Sequence, residues 1–240
     1  MRRRSFFKAA TLGPLLLKAQ TLFAQSFDLI IRGGRVIDPS LNLDTIADVG
    51  IANGRIQSID RELNASATDE INATNKIVIP GLLDIHAHYA QDDRGAHICL
   101  SDGVTGWVDA GSAGADNIEE MVAVARSAPQ PARILLNIGR GGVIPEGDTA
   151  DISMANVEVA KAAIASNLDY VVGVKARLTS GVTANDIVVI RRAQEVASYF
   201  NLPLMIHMGQ SESSMASLVA ELKPGDVAVS YTHLTLPTKA

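Results

Sequence analysis

Three imidazoles and one amine carry the chemical interest of this sequence. His86 and His88 stand as His-x-His in Pro80-Gly81-Leu82-Leu83-Asp84-Ile85-His86-Ala87-His88, after the apolar run Lys76-Ile77-Val78-Ile79. Side chains alternate faces along a strand, so residues two apart share a face. Two imidazoles on one face at a strand end suit a transition metal. The plainer alternative is two unrelated histidines satisfied by hydrogen bonds. Lys175 lies inside Val171-Val172-Gly173-Val174-Lys175-Ala176-Arg177. An ammonium is costly to bury in an apolar strand, which lowers its pKa. Such a lysine snorkels to the strand end or pairs with an acid; otherwise its neutral amine can take up carbon dioxide. The resulting carbamate is a bidentate anion able to bridge two cations. His207 ends Leu204-Met205-Ile206-His207, ahead of Met208-Gly209. Alone it reads as a core or rim histidine. With His86, His88 and Lys175, all at strand ends, it reads as a further ligand.

These side chains need strands that deliver them to one place. Strands are expected from near Ile77, Thr105, Ala132, Tyr170, Leu202 and Val227, with helices over 117–128, 157–166, 186–200 and 214–222. Strands alternating with helices imply a parallel sheet covered by helices. An open doubly wound sheet and a (β/α)8 TIM barrel both satisfy that pattern. Ligand-type residues at the carboxyl ends of several strands favour the barrel, an α/β fold whose chemistry sits at that end. Ahead of it, strands over 27–32 and 35–37 flank a turn at Gly33-Gly34, and strands over 47–51 and 55–59 flank Asn53-Gly54. Asn-Gly between apolar runs is a strong hairpin signal. That region reads as a small domain of antiparallel strands in a supporting role. The expected partition is a signal peptide at 1–24, part of a small β-sandwich at 25–76, a barrel at 77–228 and a tail at 229–240.

The bulk properties narrow the class. The 240 residues, 47% of them hydrophobic, suffice for one sizeable domain and a small second one. A net charge of −5 gives no electrostatic case for nucleic acid. No apolar run is long enough to predict a membrane span. Cys99, the single cysteine, cannot form an internal disulfide and reads as a small buried hydrophobe. Arg2-Arg3-Arg4-Ser5-Phe6-Phe7-Lys8, the weakly apolar stretch 9–17 and Ala24 follow signal-peptide architecture. Arg3-Arg4 with Ser5-Phe6-Phe7-Lys8 resembles the twin-arginine export motif, which predicts a periplasmic protein; an ordinary secretory signal is the alternative.

The histidine stretch, Asp109-Ala110-Gly111-Ser112-Ala113-Gly114, Gly173-Val174-Lys175-Ala176-Arg177 and Pro203-Leu204-Met205-Ile206-His207 occur in the order that characterises the amidohydrolase superfamily. The chain resembles its dihydroorotase-like amidohydrolase/deacetylase branch from about Phe27 to Val227. The resemblance implies a (β/α)8 barrel beside a small β-sandwich, and two divalent metal ions, usually Zn2+. His86 and His88 would hold the first metal, carbamylated Lys175 would bridge, and His207 would hold the second. Asp109 would not be a ligand, and His97, expected in a loop after the first strand, would be solvated. The implied reaction is hydrolysis of an amide, cyclic amide, N-acetyl or ester bond in a small molecule by metal-activated hydroxide. A mononuclear deaminase of the same superfamily and a non-catalytic binding barrel are the alternatives. A homo-oligomer stays open for the full-length protein.

Two family features are missing. The catalytic acid-base aspartate after the last barrel strand is expected beyond residue 240. The sixth-strand histidine should follow Pro224-Gly225-Asp226-Val227, where the chain reads Ser230-Tyr231-Thr232. Residues 229–238 resemble the translation of a transposon-based sequencing adapter, so His233 is set aside as a ligand. The expectation is an amino-terminal fragment with five to six barrel strands, inactive by itself.

Overall fold

The structure, a computed structural model, describes residues 26–88 and 94–230. The expected signal peptide, and His233 with residues 231–240 of the expected tail, lie outside the described residues. The chain divides into two compact units between Pro80 and Gly81.

The first unit is a five-stranded sheet of β1 (Phe27–Asp38), β2 (Leu43–Ala52), β3 (Arg55–Asp60), β4 (Ala67–Asn72) and β5 (Ile77–Val78). The Asn53-Gly54 hairpin forms between β2 and β3, with φ of 53° and 68° at the two turn residues. Both must be positive to match the twist of the strands. Val36, Ala47 and Val49 form its buried core, with Ile31, Ile51 and Val78 packed against them.

Two expectations are corrected here. The sheet is mixed, because β4 and β5 run parallel to β1. The turn expected at Gly33-Gly34 is a β-bulge inside one continuous twelve-residue strand. Ile31 pairs with Val49 and Gly34 with Ala47, so Arg32 and Gly33 together oppose Asp48. Gly33, at φ 66°, supplies the left-handed residue such a bulge uses. The carboxylate of Asp48 then ties the bulge together. It accepts from Gly33 N at 2.8 Å, Arg32 Nη1 at 2.9 Å and Leu63 N at 3.1 Å. Burial would raise its pKa, but these donors outweigh burial and hold it below the ordinary carboxylate value. Asp48→Ala is expected to cost about 2 kcal/mol, measured by urea denaturation, because it leaves part-buried donors unpaired. The stabilisation belongs to the ionised form. The difference between wild type and variant should therefore hold above about pH 4 and shrink as acid protonates Asp48.

The second unit alternates β6 (Leu82–Ala87), α1 (Gly95–Ser101), β7 (Val104–Asp109), α2 (Ile118–Ser127), β8 (Ala132–Asn137), α3 (Val157–Ser166), β9 (Val171–Arg177), α4 (Asp186–Tyr199), β10 (Leu204–His207), α5 (Met215–Ala220) and β11 (Val227–Val229). All neighbouring strands pair in parallel, and their spatial order is their sequence order. A doubly wound sheet reverses its order at a switch point. This sheet does not, and it is a curled half-barrel of six strands, as an incomplete (β/α)8 barrel requires. Among the described residues β6 and β11 each pair along one edge only.

Strand alternation divides the residues. Ile134, Leu136, Val174, Ala176, Leu204 and Ile206 join the core formed with helix residues such as Val122, Ile164 and Ile190. Leu135 and Met205, one residue out of step, pack with Ala110 on the other face. That second face carries Lys175 and His207.

The strand expected from Ile77 is divided. Ile77–Val78 is β5 and pairs with β1, whereas the histidine-bearing strand begins at Leu82. Pro80 has no N–H for a ladder, and Pro80-Gly81 separates the two. His97 sits in α1 rather than in a loop, on an exposed position.

Candidate metal centre

Three strands converge through their carboxyl ends. His86 is the penultimate residue of β6, and His88 follows directly after that strand. Lys175 lies in β9 and His207 closes β10. The β9–β10 register sets Met205 beside Lys175 and His207 beside Arg177. The structure brings together all four residues that the sequence marks. Nζ of Lys175 lies 3.1 Å from Nε2 of His86 and 3.6 Å from Sδ of Met205. The His86 ring is centred 5.8 Å from His88 and 6.2 Å from His207. All four residues line one cavity of about 280 Å3, which Asn137 and Arg177 also line.

Electrostatics favours neutral bases here. Burial, reinforced by Lys175, pushes His86 down to about 4. His88 and His207 are lowered chiefly by burial as well. Lys175, 3% exposed, is pushed down to about 8 by burial, against the opposing pull of Asp109 and Asp148. A lysine so placed titrates within reach of neutral pH.

A supporting layer holds these groups. Asp109 ends β7 and is fully buried. It accepts from the backbone N and the hydroxyl of Ser112, both at 2.7 Å, and the same hydroxyl lies 2.7 Å from Nδ1 of His88. Asp148, 1% exposed, accepts from Arg177 Nη2 at 2.6 Å and Asn137 Nδ2 at 2.9 Å. Between these pairs, Gly111 takes φ 84°, and a Cβ there would fall 2.6 Å from Cβ of Lys175. Only glycine lets the loop after β7 pass this close to the lysine stem.

Ser112, Asn137 and Asp148 are the site residues that sequence reasoning missed. Ser112 had a signal: an aspartate three residues before it can accept its backbone N–H in the capping manner, and Asp109 does. Asp148 had none, since it sits outside any strand or helix.

Among the described residues, no group of three or more His, Cys, Asp or Glu side chains is disposed to hold a metal ion. The cluster joins three imidazoles to a lysine, and in this form it contains no anionic ligand.

No protein-family model matches the chain. It is 28% identical over 209 residues to a deacetylase of Enterococcus faecalis (strain ATCC 700802 / V583), covering 84% of this chain and 55% of that protein. It is 28% identical over 187 residues to a dihydroorotase of Solibacter usitatus (strain Ellin6076), covering 75% of this chain and 41% of that protein. The chain thus spans about half the length of the curated relatives it matches. Its fold matches a solved adenine deaminase with a TM-score of 0.71 and 27% identity, over 84% of this chain and 56% of that one.

Proposed function

Taking an amidohydrolase-like chain as the premise, we propose that this protein is a metal-dependent hydrolase of carbon–nitrogen bonds in small molecules, with cyclic amides and N-acetyl groups as the first substrates to test. The observation that carries this reading is Lys175. A buried amine, pushed down to about 8, faces three imidazoles across one cavity. As it stands the set contains no anionic side chain, and among the described residues no group of three or more His, Cys, Asp or Glu is disposed to hold a metal ion. Carboxylation of Lys175 supplies the missing anion. The neutral amine attacks the carbon of carbon dioxide, an N–C bond forms as one C=O π bond opens to oxygen, and the nitrogen releases one proton to solvent. Carboxylated in this way, the set would offer donors for two divalent cations. His86 and His88 would hold one, His207 the other, and the carbamate would lie between them.

When bound, such cations supply Lewis acidity, which brings a water molecule's pKa toward neutrality and polarises a carbonyl oxygen. The protein's own part is to keep the imidazoles neutral and to bury Lys175 where its amine faces them. Arg177 and Asn137, on the cavity wall and fixed by Asp148, are placed to orient a polar substrate.

Turnover is proposed for a protein whose barrel is closed; the described half-barrel, with β6 and β11 paired on one edge each, is proposed to be inactive alone. Residues 1–24 are proposed to direct export. A deaminase reading is favoured by the adenine deaminase match, while Lys175, 3.1 Å from His86 and on one cavity with His207, supports the two-metal reading. The test is a substrate panel on a form extended to the length of the relatives, loaded with zinc and bicarbonate. Release of acetate or opening of a cyclic amide supports the proposal. Ammonia release from adenine alone would move it to deamination, and metal-replete protein inert on every member would overturn it.

A further inference from the structure

We propose that Ser112 is a positioning residue that fixes the proton of His88 on Nδ1, leaving Nε2 as the nitrogen free to ligate. The tautomer follows from geometry alone; its consequence for metal rests on the reading above.

The Ser112 hydroxyl has one proton and lies 2.7 Å from each of two atoms, Oδ2 of Asp109 and Nδ1 of His88. Asp109 holds Ser112 from both sides of its carboxylate, since Oδ1 accepts the Ser112 backbone N–H at 2.7 Å. If the hydroxyl proton pointed to His88, the serine oxygen would face a carboxylate oxygen at 2.7 Å with no proton between them. The hydroxyl therefore donates to Asp109 and accepts from His88. A neutral imidazole carries one N–H, so a proton on Nδ1 leaves the lone pair on Nε2. Asp109 is 0% exposed and Ser112 6%, so solvent does not compete for the bonds between these two, while His88 itself stands on an exposed position. Sequence position supports the same picture, because β7 ends at Asp109 and the loop after it brings the Ser112 hydroxyl to His88. Outer-shell partners of this kind set tautomer and ring orientation of histidine ligands.

The experiment uses the full 240-residue chain with 15N-labelled histidine, metal-free, at pH 8. Long-range 1H–15N spectra report which nitrogen of His88 is protonated, and zinc titration of the same samples reports affinity. The wild type should show His88 protonated on Nδ1. Ser112→Ala should shift the proton toward Nε2 and weaken zinc 10- to 100-fold, the usual range for loss of such a partner. Ser112→Thr keeps the hydroxyl and should restore both. A His88 protonated on Nε2 in the wild type, or an unchanged tautomer in Ser112→Ala, would overturn the proposal. A shifted tautomer with unchanged zinc affinity would overturn the positioning role. Absence of zinc binding by the wild type, with the tautomers as expected, would overturn the metal reading and leave the hydrogen-bond assignment standing.

Discussion

Lys175→Met is expected to weaken zinc binding at least about 100-fold while making the metal-free protein more stable at pH 7. The first effect follows from removing the only proposed anionic ligand, whose loss should cost at least as much as that of an outer-shell partner. The second follows from the buried ammonium. Lys175 is 3% exposed and sits at about 8 against an ordinary 10.5. That difference corresponds to a penalty on the order of 3 kcal/mol. Below about pH 8 the folded and unfolded chains both carry the proton, and the folded chain bears the full penalty. Between about 8 and 10.5 only the unfolded chain is protonated, so wild-type stability rises with pH. Above that range both are neutral and the penalty is gone. Methionine fills similar volume without charge, as buried-ion replacements that stabilise tend to do. Denaturation of both metal-free chains from pH 6 to 10.5 should show the variant ahead at low pH and the gap closing as pH rises. A variant less stable than wild type at pH 7 would contradict the assignment of Lys175 as an amine whose charge is penalised by burial. Short carboxylates should partly restore zinc binding to Lys175→Ala, which leaves room for them.

Asp148→Ala carries the second large effect, about 3 kcal/mol of lost stability. Asp148 is 1% exposed and accepts from Arg177 Nη2 at 2.6 Å and Asn137 Nδ2 at 2.9 Å. Removing one member of a buried pair leaves the other without compensation, at about 3–5 kcal/mol. Arg177 retains 27% side-chain exposure, which puts the expectation at the lower end. In a domain of this size the loss should lower Tm by roughly 10 °C. Asp148→Asn keeps acceptor capacity and should lose less. A thermal scan with Asp148→Ala within a degree or two of wild type would remove Asp148 from any supporting role.

What the sequence disclosed and what it hid follow different physics. His86, His88 and His207 stood out because strand alternation is a strict period, and each ends an apolar run. Lys175 stood out because a charge inside Val-Val-Gly-Val is expensive. The parallel sheet was legible from the strand–helix alternation, whereas the barrel, with its sequential strand order, needed the ligands to separate it from a doubly wound sheet. Gly33-Gly34 misled because a diglycine satisfies a turn and a bulge equally; the carboxylate of Asp48, fifteen residues from Gly33, decides between them. Strand β4 was invisible because Ala67–Asn72 is mostly polar and exposed and is held by pairing with β1. The short α1 lacks a side-chain cap at Arg94 and so left no start signal. Asp148 and Asn137 act through contacts that bring separate loops together, and nothing local in the sequence announces such contacts.

The central claim is that Lys175 becomes the anionic centre of a metal site. The most direct measurement is 13C NMR of the chain incubated with 13C-bicarbonate and zinc, beside Lys175→Met treated identically. The account predicts one carbamate resonance per chain in the wild type, retained when zinc is bound and absent from the variant. Zinc-replete wild-type protein with no carbamate signal, or a signal of equal intensity in Lys175→Met, would contradict it.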